Sequence, residues 1–183
     1  SANPPGDPGD VAEGRMSRLL FLLLPALVLQ AQDSVIPGAV EVRSGVFVLR
    51  GSPNDATCAA IKKQHITHVV DLRRDGEPSL NCESESIRMQ EMGVQYLRYA
   101  VTKTPPNGDF DFLRSFLKNL PRGSKVLLHC NNGNRAAAMV CPWLVLDKGM
   151  PLEEAMRIAR EAGMKLPETE EAVRRYIGGK ASA

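Results

Sequence analysis

The sequence predicts an α/β fold: a single domain with a mainly parallel central sheet flanked by helices, and further helices at its C-terminal end. Two observations carry this. Short β-branched runs such as THVVDLR and KVLLHC have the continuous hydrophobicity of strands buried on both faces. Between them lie longer amphipathic or apolar stretches punctuated by Pro and Gly, so strands and helices alternate. A chain of 183 residues, 43% hydrophobic and 24% charged, can build one sizeable core and is short for two domains.

Residues 1–15 are rich in Pro, Gly and Asp and hold no pattern that could pack, so they read as an unstructured upstream segment. Met16 then opens a stretch with one basic residue, Arg18, an apolar run from Leu19 to Leu29 and a small residue at Ala31. That order is the signature of a secretory signal peptide. The run is shorter than the roughly 20 apolar residues a membrane span needs. The expectation is a leader over 16–31, a periplasmic or secreted protein without stable membrane insertion once the leader is cleaved, and a folded domain over 38–178.

After Pro37 and Gly38, the segments EVRSG and GVFVLRG read as a hairpin. In SPNDATCAAIKKQHI, Ser52 or Asn54 can cap a helix that turns Cys58 and Ile61 inward. The strand THVVDLR follows. Residues 75–92 are acidic and read as a loop and then a helix ending at Gly93, and VQYLRYAV is the next strand. After the loop TKTPPNGD comes an amphipathic helix with Phe112, Phe116 and Leu120 on one face. KVLLHC is the last strand and NNGNR a tight turn. AAAMVCPWLVLDKG is apolar enough to be a buried helix, and two amphipathic helices, each opened by a Pro, complete the chain. Ligands on such sheets bind beyond the carboxyl ends of the strands, which points to the end of KVLLHC.

Composition excludes several classes of function. Lys and Arg total 23 against 21 Asp and Glu, a net charge of +2, which lacks the basic excess of a nucleic-acid or acidic-membrane binder. Four Cys without C-x-x-C spacing and three His (His65, His68, His129) argue against a structural zinc site or a multi-histidine centre. A metal centre is therefore not expected, and the family resemblance set out below implies no organic cofactor either.

One segment carries chemistry. His129-Cys130-Asn131-Asn132-Gly133-Asn134-Arg135 joins a buried strand to an apolar helix. Backbone N–H groups of 131–135 curl around one point, and the helix aims the positive end of its dipole at it. Such a nest holds an oxyanion. Gly133 permits a backbone angle closed to other residues, and Arg135 adds a planar fork for two oxygens of a phosphate-like group. Cys130 stands at the centre, in a setting that favours a nucleophilic thiolate. A buried core cysteine is the plain alternative, but it does not explain Gly and Arg at these offsets.

These residues resemble the signature of the cysteine-dependent phosphatase superfamily, His-Cys, five residues, then Arg and Ser/Thr. The chain departs from it twice: four residues separate Cys130 from Arg135, and Ala136 stands where a hydroxyl is usual. The shorter loop is also similar to that of rhodaneses. THVVDLRRDGE, the acidic helix, GVQYLRYAV and VLLHCNNGNRAAA together resemble the bacterial beta-lactamase hydrolase-like phosphatase domains, which are similar to dual-specificity protein phosphatases. The likeness runs from about Val40 to Gly163.

The resemblance implies that Cys130 attacks phosphorus and forms a phosphocysteine, while Arg135 and the loop amides hold the equatorial oxygens. It implies a general acid on the loop after VQYLRYAV. Residues 102–108 hold no acid, so Asp109 is the candidate, against the plainer role of a helix cap. Asn131, Asn132, Gly133, Asn134 and Arg73 are the substrate-binding candidates. Asp71 is expected to orient loop backbone, and His129 to bond the loop rather than act as a base. Cys82 and Cys58 are candidate partners for a redox capture of Cys130. Three functions stay open: a phosphatase acting on a phosphorylated protein or small aryl phosphate, a rhodanese-like sulfurtransferase, and a non-catalytic oxyanion-binding module.

Overall fold

The computed structural model describes residues 36–77 and 81–181. The expected upstream segment and leader lie outside these. The chain order among the described residues is β1 (Ala39–Arg43), β2 (Val46–Leu49), α1 (Asp55–Lys63), β3 (His68–Asp71), α2 (Cys82–Glu91), β4 (Gln95–Arg98), α3 (Asn107–Lys118), β5 (Val126–His129), α4 (Asn134–Leu146), α5 (Leu152–Ala162) and α6 (Pro167–Ala181).

The five strands pair in the order β1-β2-β5-β3-β4. β1 and β2 form the antiparallel hairpin, and every other pairing is parallel. The last strand in sequence is thus the central one, and His129 is in register with Leu49 on one side and Asp71 on the other. Period-two alternation sends successive residues to opposite faces. Val48, Val70, Leu72, Leu128 and Cys130 join one core cluster with residues of α3, α4, α5 and α6. Phe47, Leu49, Val69 and Leu127 join the other, against Cys58 and Ile61 of α1 and Met89 of α2.

Local chemistry explains the element ends. Asn54 is the cap of α1, its Oδ1 accepting the Thr57 N–H at 2.9 Å, and Asn81 caps α2 in the same way. Ser52, the other cap candidate, instead accepts from Arg73 Nη1 at 2.6 Å. α4 is buried from Asn134 to Leu144 because it lies between the sheet and α3, α5 and α6, and no polar face is left for solvent. Arg114 ties three of these helices together. Its Nε donates to Asp147 at 2.6 Å beyond α4, and its Nη1 donates to the Tyr176 hydroxyl of α6 at 2.8 Å. Tyr176 in turn donates to Asp111 at 2.6 Å.

Leu128, fully buried on the central strand, tests the core directly. Leu128→Ala is expected to cost about 3 kcal/mol of stability, measured by urea unfolding.

Candidate active site

β5 ends at His129 and delivers Cys130 to the carboxyl edge of the sheet; four residues later α4 begins at Asn134. Gly133 makes this turn with φ 85° and is the N-cap of α4, so the cap residue itself brings no side-chain acceptor. The backbone is crowded there as well as left-handed. A Cβ at Gly133 would stand 2.6 Å from the Ala162 carbonyl, and one at Gly163 (φ 126°) would stand 2.9 Å from the Asn132 carbonyl. The loop therefore rests backbone to backbone on the end of α5, a contact only glycine allows.

Asn134 completes this anchorage. Its Oδ1 accepts the N–H groups of Lys165 (2.8 Å) and Leu166 (3.1 Å), and its Nδ2 donates to Thr169 Oγ1 at 3.0 Å. Thr169 Oγ1 donates to the Lys103 carbonyl at 2.6 Å. With Asn134 only 3% exposed, the expectation that it binds substrate is corrected for its side chain, whose amide is spent on holding the loop, while its backbone N–H is taken by Asn132 Oδ1 at the edge of the cleft.

Arg135, in the first turn of α4, is buried between the ends of β3 and β4. Its Nη1 donates to the carbonyls of Leu72 (3.2 Å) and Val101 (3.0 Å). Both terminal nitrogens also pair with Glu77, Nη1 to Oε1 at 2.6 Å and Nη2 to Oε2 at 2.7 Å. Burial opposes the guanidinium's charge, but the pairing with Glu77 and the nearness of Cys130 raise its pKa. The same pairing, with the Arg74 N–H, holds the Glu77 carboxyl down at about 2. Asn131 Nδ2 donates to Glu77 as well.

Cys130 is fully buried, and its Sγ lies 3.9 Å from Asn132 Oδ1. That oxygen also accepts the Asn134 N–H at 3.2 Å. An amide oxygen thus occupies part of the cradle where a phosphate oxygen would sit. The cleft above is about 250 Å³ and is lined by Arg74, Glu77, Lys103, Asn131, Asn132 and Arg135, among others. Three cations face one carboxylate, so it favours anions.

The structure places two expected residues away from this cleft. Arg73 is fully buried on the opposite face of the sheet. It pairs with both oxygens of Asp71 at 2.8 Å and with Glu85, and cannot reach a substrate in the cleft. Asp71 does orient backbone, accepting the Arg73 N–H at 2.9 Å, and it accepts the Tyr96 hydroxyl at 2.8 Å. Burial would raise the Asp71 pKa, but these bonds and His129 hold it below the usual carboxylate range. Asp109 lies in the first turn of α3 rather than at its cap, because the helix starts two residues earlier, after Pro106. It accepts the Tyr99 hydroxyl at 2.9 Å and is not among the residues lining the cleft.

His129 does not bond the loop. Strand alternation turns it away from Cys130, and its Nε2 stands 2.7 Å from Glu85 Oε1 without the alignment of a hydrogen bond. Asp71, Glu85 and His129 bring possible ligand atoms within 4.8 Å of one another. Arg73 already supplies the positive charge there, bonded to both carboxylates, so the cluster suits an ion-pair network better than a metal ion. Cys58 packs on this same face, opposite the cluster that holds Cys130, and Cys82 begins α2; the sheet separates Cys58 from the nucleophile candidate.

Glu77 is the residue the sequence reading missed. Its one signal was position: an acid in the loop after β3 opens at the same sheet edge as Arg135, where a buried guanidinium needs a partner.

The family model for the dual specificity phosphatase catalytic domain matches residues 48–174. The chain belongs to this family. By that membership it is a cysteine-based protein phosphatase. No curated protein sequence matches the chain. Among solved structures, Tk-PTP in the active form is similar with a TM-score of 0.66 and 21% identity, covering 79% of this chain and 99% of its own. PTPMT1 in complex with PI(5)P gives 0.66 and 19%, covering 79% and 97%. A human tyrosine phosphatase-like serine/threonine/tyrosine-interacting protein gives 0.61 and 20%, covering 79% and 98%. At these identities the structures bear on fold, and all three support the same mixed α/β domain.

Two outcomes follow from this geometry. Asn132→Ala uncovers the sulfur, so alkylation of Cys130 by iodoacetamide, followed by mass spectrometry, should run several-fold faster than in the wild type. Glu77 has its pKa lowered from 4.5 to about 2, so its pairing stabilises the fold fully above 4.5 and progressively less as pH falls toward 2. The stability gap between wild type and Glu77→Gln, measured by urea unfolding, should therefore narrow from pH 6 to pH 3.

Proposed function

We propose that the domain hydrolyses phosphate monoesters, aryl esters foremost, through a phosphocysteine at Cys130. The observation that carries this is one local geometry. Cys130 follows the central strand at the N-terminus of a helix whose cap residue, Gly133, has no side chain, with Arg135 buried in its first turn. An oxyanion there would displace Asn132 Oδ1 from the Asn134 N–H and meet the Arg135 guanidinium. The Cys130 thiolate then attacks phosphorus, an S–P bond forms and the ester P–O bond breaks, with the electron pair leaving on the ester oxygen. Water attacks the phosphocysteine and releases orthophosphate and the thiolate.

Acid catalysis is the weak point of the site. Asp109 was the sequence candidate, and its carboxylate is engaged by Tyr99. The carboxylate lining the cleft is Glu77, held ionised down to about 2. A leaving group that departs as an anion is therefore favoured, and phenolic oxygens do so far more readily than alkyl ones. This supports an aryl phosphate or a phosphotyrosine-bearing protein as substrate. The leader pattern over 16–31 supports an exported enzyme.

A second reading, an oxyanion-binding module, is favoured by Ala136, which puts no hydroxyl beside the sulfur. One experiment separates them: release of phosphate from p-nitrophenyl phosphate by the reduced full-length chain and by Cys130→Ser. Turnover that falls at least about a thousandfold in the variant is expected. Turnover that survives the substitution would sink the phosphocysteine, and a folded wild type that binds tungstate without turnover would leave the binding module.

A further inference from the structure

A phosphate ester attacked by Cys130 has its leaving oxygen in line with the sulfur, on the far side of phosphorus. Cys130 is fully buried beneath the cleft, so that oxygen faces the open side. Whatever steadies the departing oxygen comes from the residues that line the cleft.

Three of those are cations, and they differ in what already occupies them. Arg135 pairs with both oxygens of Glu77 and with two carbonyls. Arg74 is ion-paired with the same carboxylate, Nε to Oε1 at 3.4 Å. Lys103 is exposed, and among the described residues its ammonium has no hydrogen bond and no ion pair. No carboxylate of the cleft is left to neutralise it, because Glu77 is spent on the two arginines and on Asn131.

The base from which Lys103 projects is fixed. Arg135 Nη1 donates to the Val101 carbonyl at 3.0 Å, and Thr102 Oγ1 donates to the Thr104 carbonyl at 2.9 Å. The carbonyl of Lys103 itself accepts from Thr169 Oγ1 at 2.6 Å. Asn134 Nδ2 donates to that same hydroxyl, so one side chain fastens both the segment carrying Lys103 and the loop after Cys130. From this fixed base, a flexible four-carbon stem lets the ammonium follow a leaving oxygen without moving the backbone.

We propose that Lys103 is a further catalytic residue: its ammonium takes up the negative charge that builds on the leaving oxygen as the ester bond breaks. The S–P bond forms, the P–O bond breaks, and the electron pair departs on the oxygen beside the ammonium. The proton stays on nitrogen, and the released phenolate meets solvent. The role rests on the phosphoryl reading of the site, and it supplies assistance to departure that no carboxylic acid of the cleft offers.

Less acidic phenols leave as less stable anions, so they gain most from the ammonium. The test measures kcat/KM of the reduced full-length chain on dinitrophenyl, p-nitrophenyl and phenyl phosphate, for the wild type, Lys103→Met, Lys103→Arg and Arg74→Met. Lys103→Met should lose about tenfold on phenyl phosphate and under about twofold on dinitrophenyl phosphate. Lys103→Arg keeps a cation and should recover most of that loss. The ratio between substrates does not depend on how much of a variant is folded, so it reads the chemistry alone. An equal loss on all three substrates would overturn the role, as would the same change of ratio in Arg74→Met. A wild type without turnover, or turnover that survives Cys130→Ser, would instead overturn the phosphoryl reading, and this role with it.

Discussion

The buried guanidinium of Arg135 is the point at which the separate parts of the site meet. A fixed positive charge in a low-dielectric interior is tolerable only when its donors are satisfied. Here the satisfaction comes from three directions: the carbonyls just past β3 and β4, and the carboxylate of the loop that leaves β3. Those partners belong to strands brought side by side only by the parallel sheet. The charge thus needs the whole topology to be in place, and the topology delivers Cys130 to the same edge.

A second ionic network lies directly behind. Residues 72 and 73 point to opposite faces, as do 129 and 130, so Leu72 and Cys130 share one core cluster while Arg73 and His129 meet Asp71 and Glu85 on the other side. Glu85 comes from the first turns of α2, so this network fastens a helix with few buried residues of its own to the centre of the sheet. One buried ion pair supports the outer face and another shapes the cleft, separated by a single layer of backbone.

Much of this was legible in the residues themselves. Apolar runs marked the strands, and Pro, Gly and Asn marked the helix ends, because those signals are local. The nucleophile loop was legible for the same reason, since its Cys, Gly and Arg fall within six residues. What escaped depends on separation. Asn134 looks like any loop amide until residues 165, 166 and 169 arrive beside it, and Arg73 looks like a pocket cation until Asp71 and Glu85 close around it. Glu77 is one acid among many in residues 75–92; only the fold shows that it faces residue 135. Asp109 misled because the helix begins at Asn107, two residues before the acid.

The grip of Asn134 on the N–H groups of Lys165 and Leu166 has a consequence for dissecting the protein. The loop at Cys130 is tied to a turn some thirty positions later in the chain, directly before α6 starts at Pro167. Any shortened version that stops at the end of α5 would keep the strand, the cysteine, the arginine and the contact with Ala162 while losing every side-chain partner of Asn134.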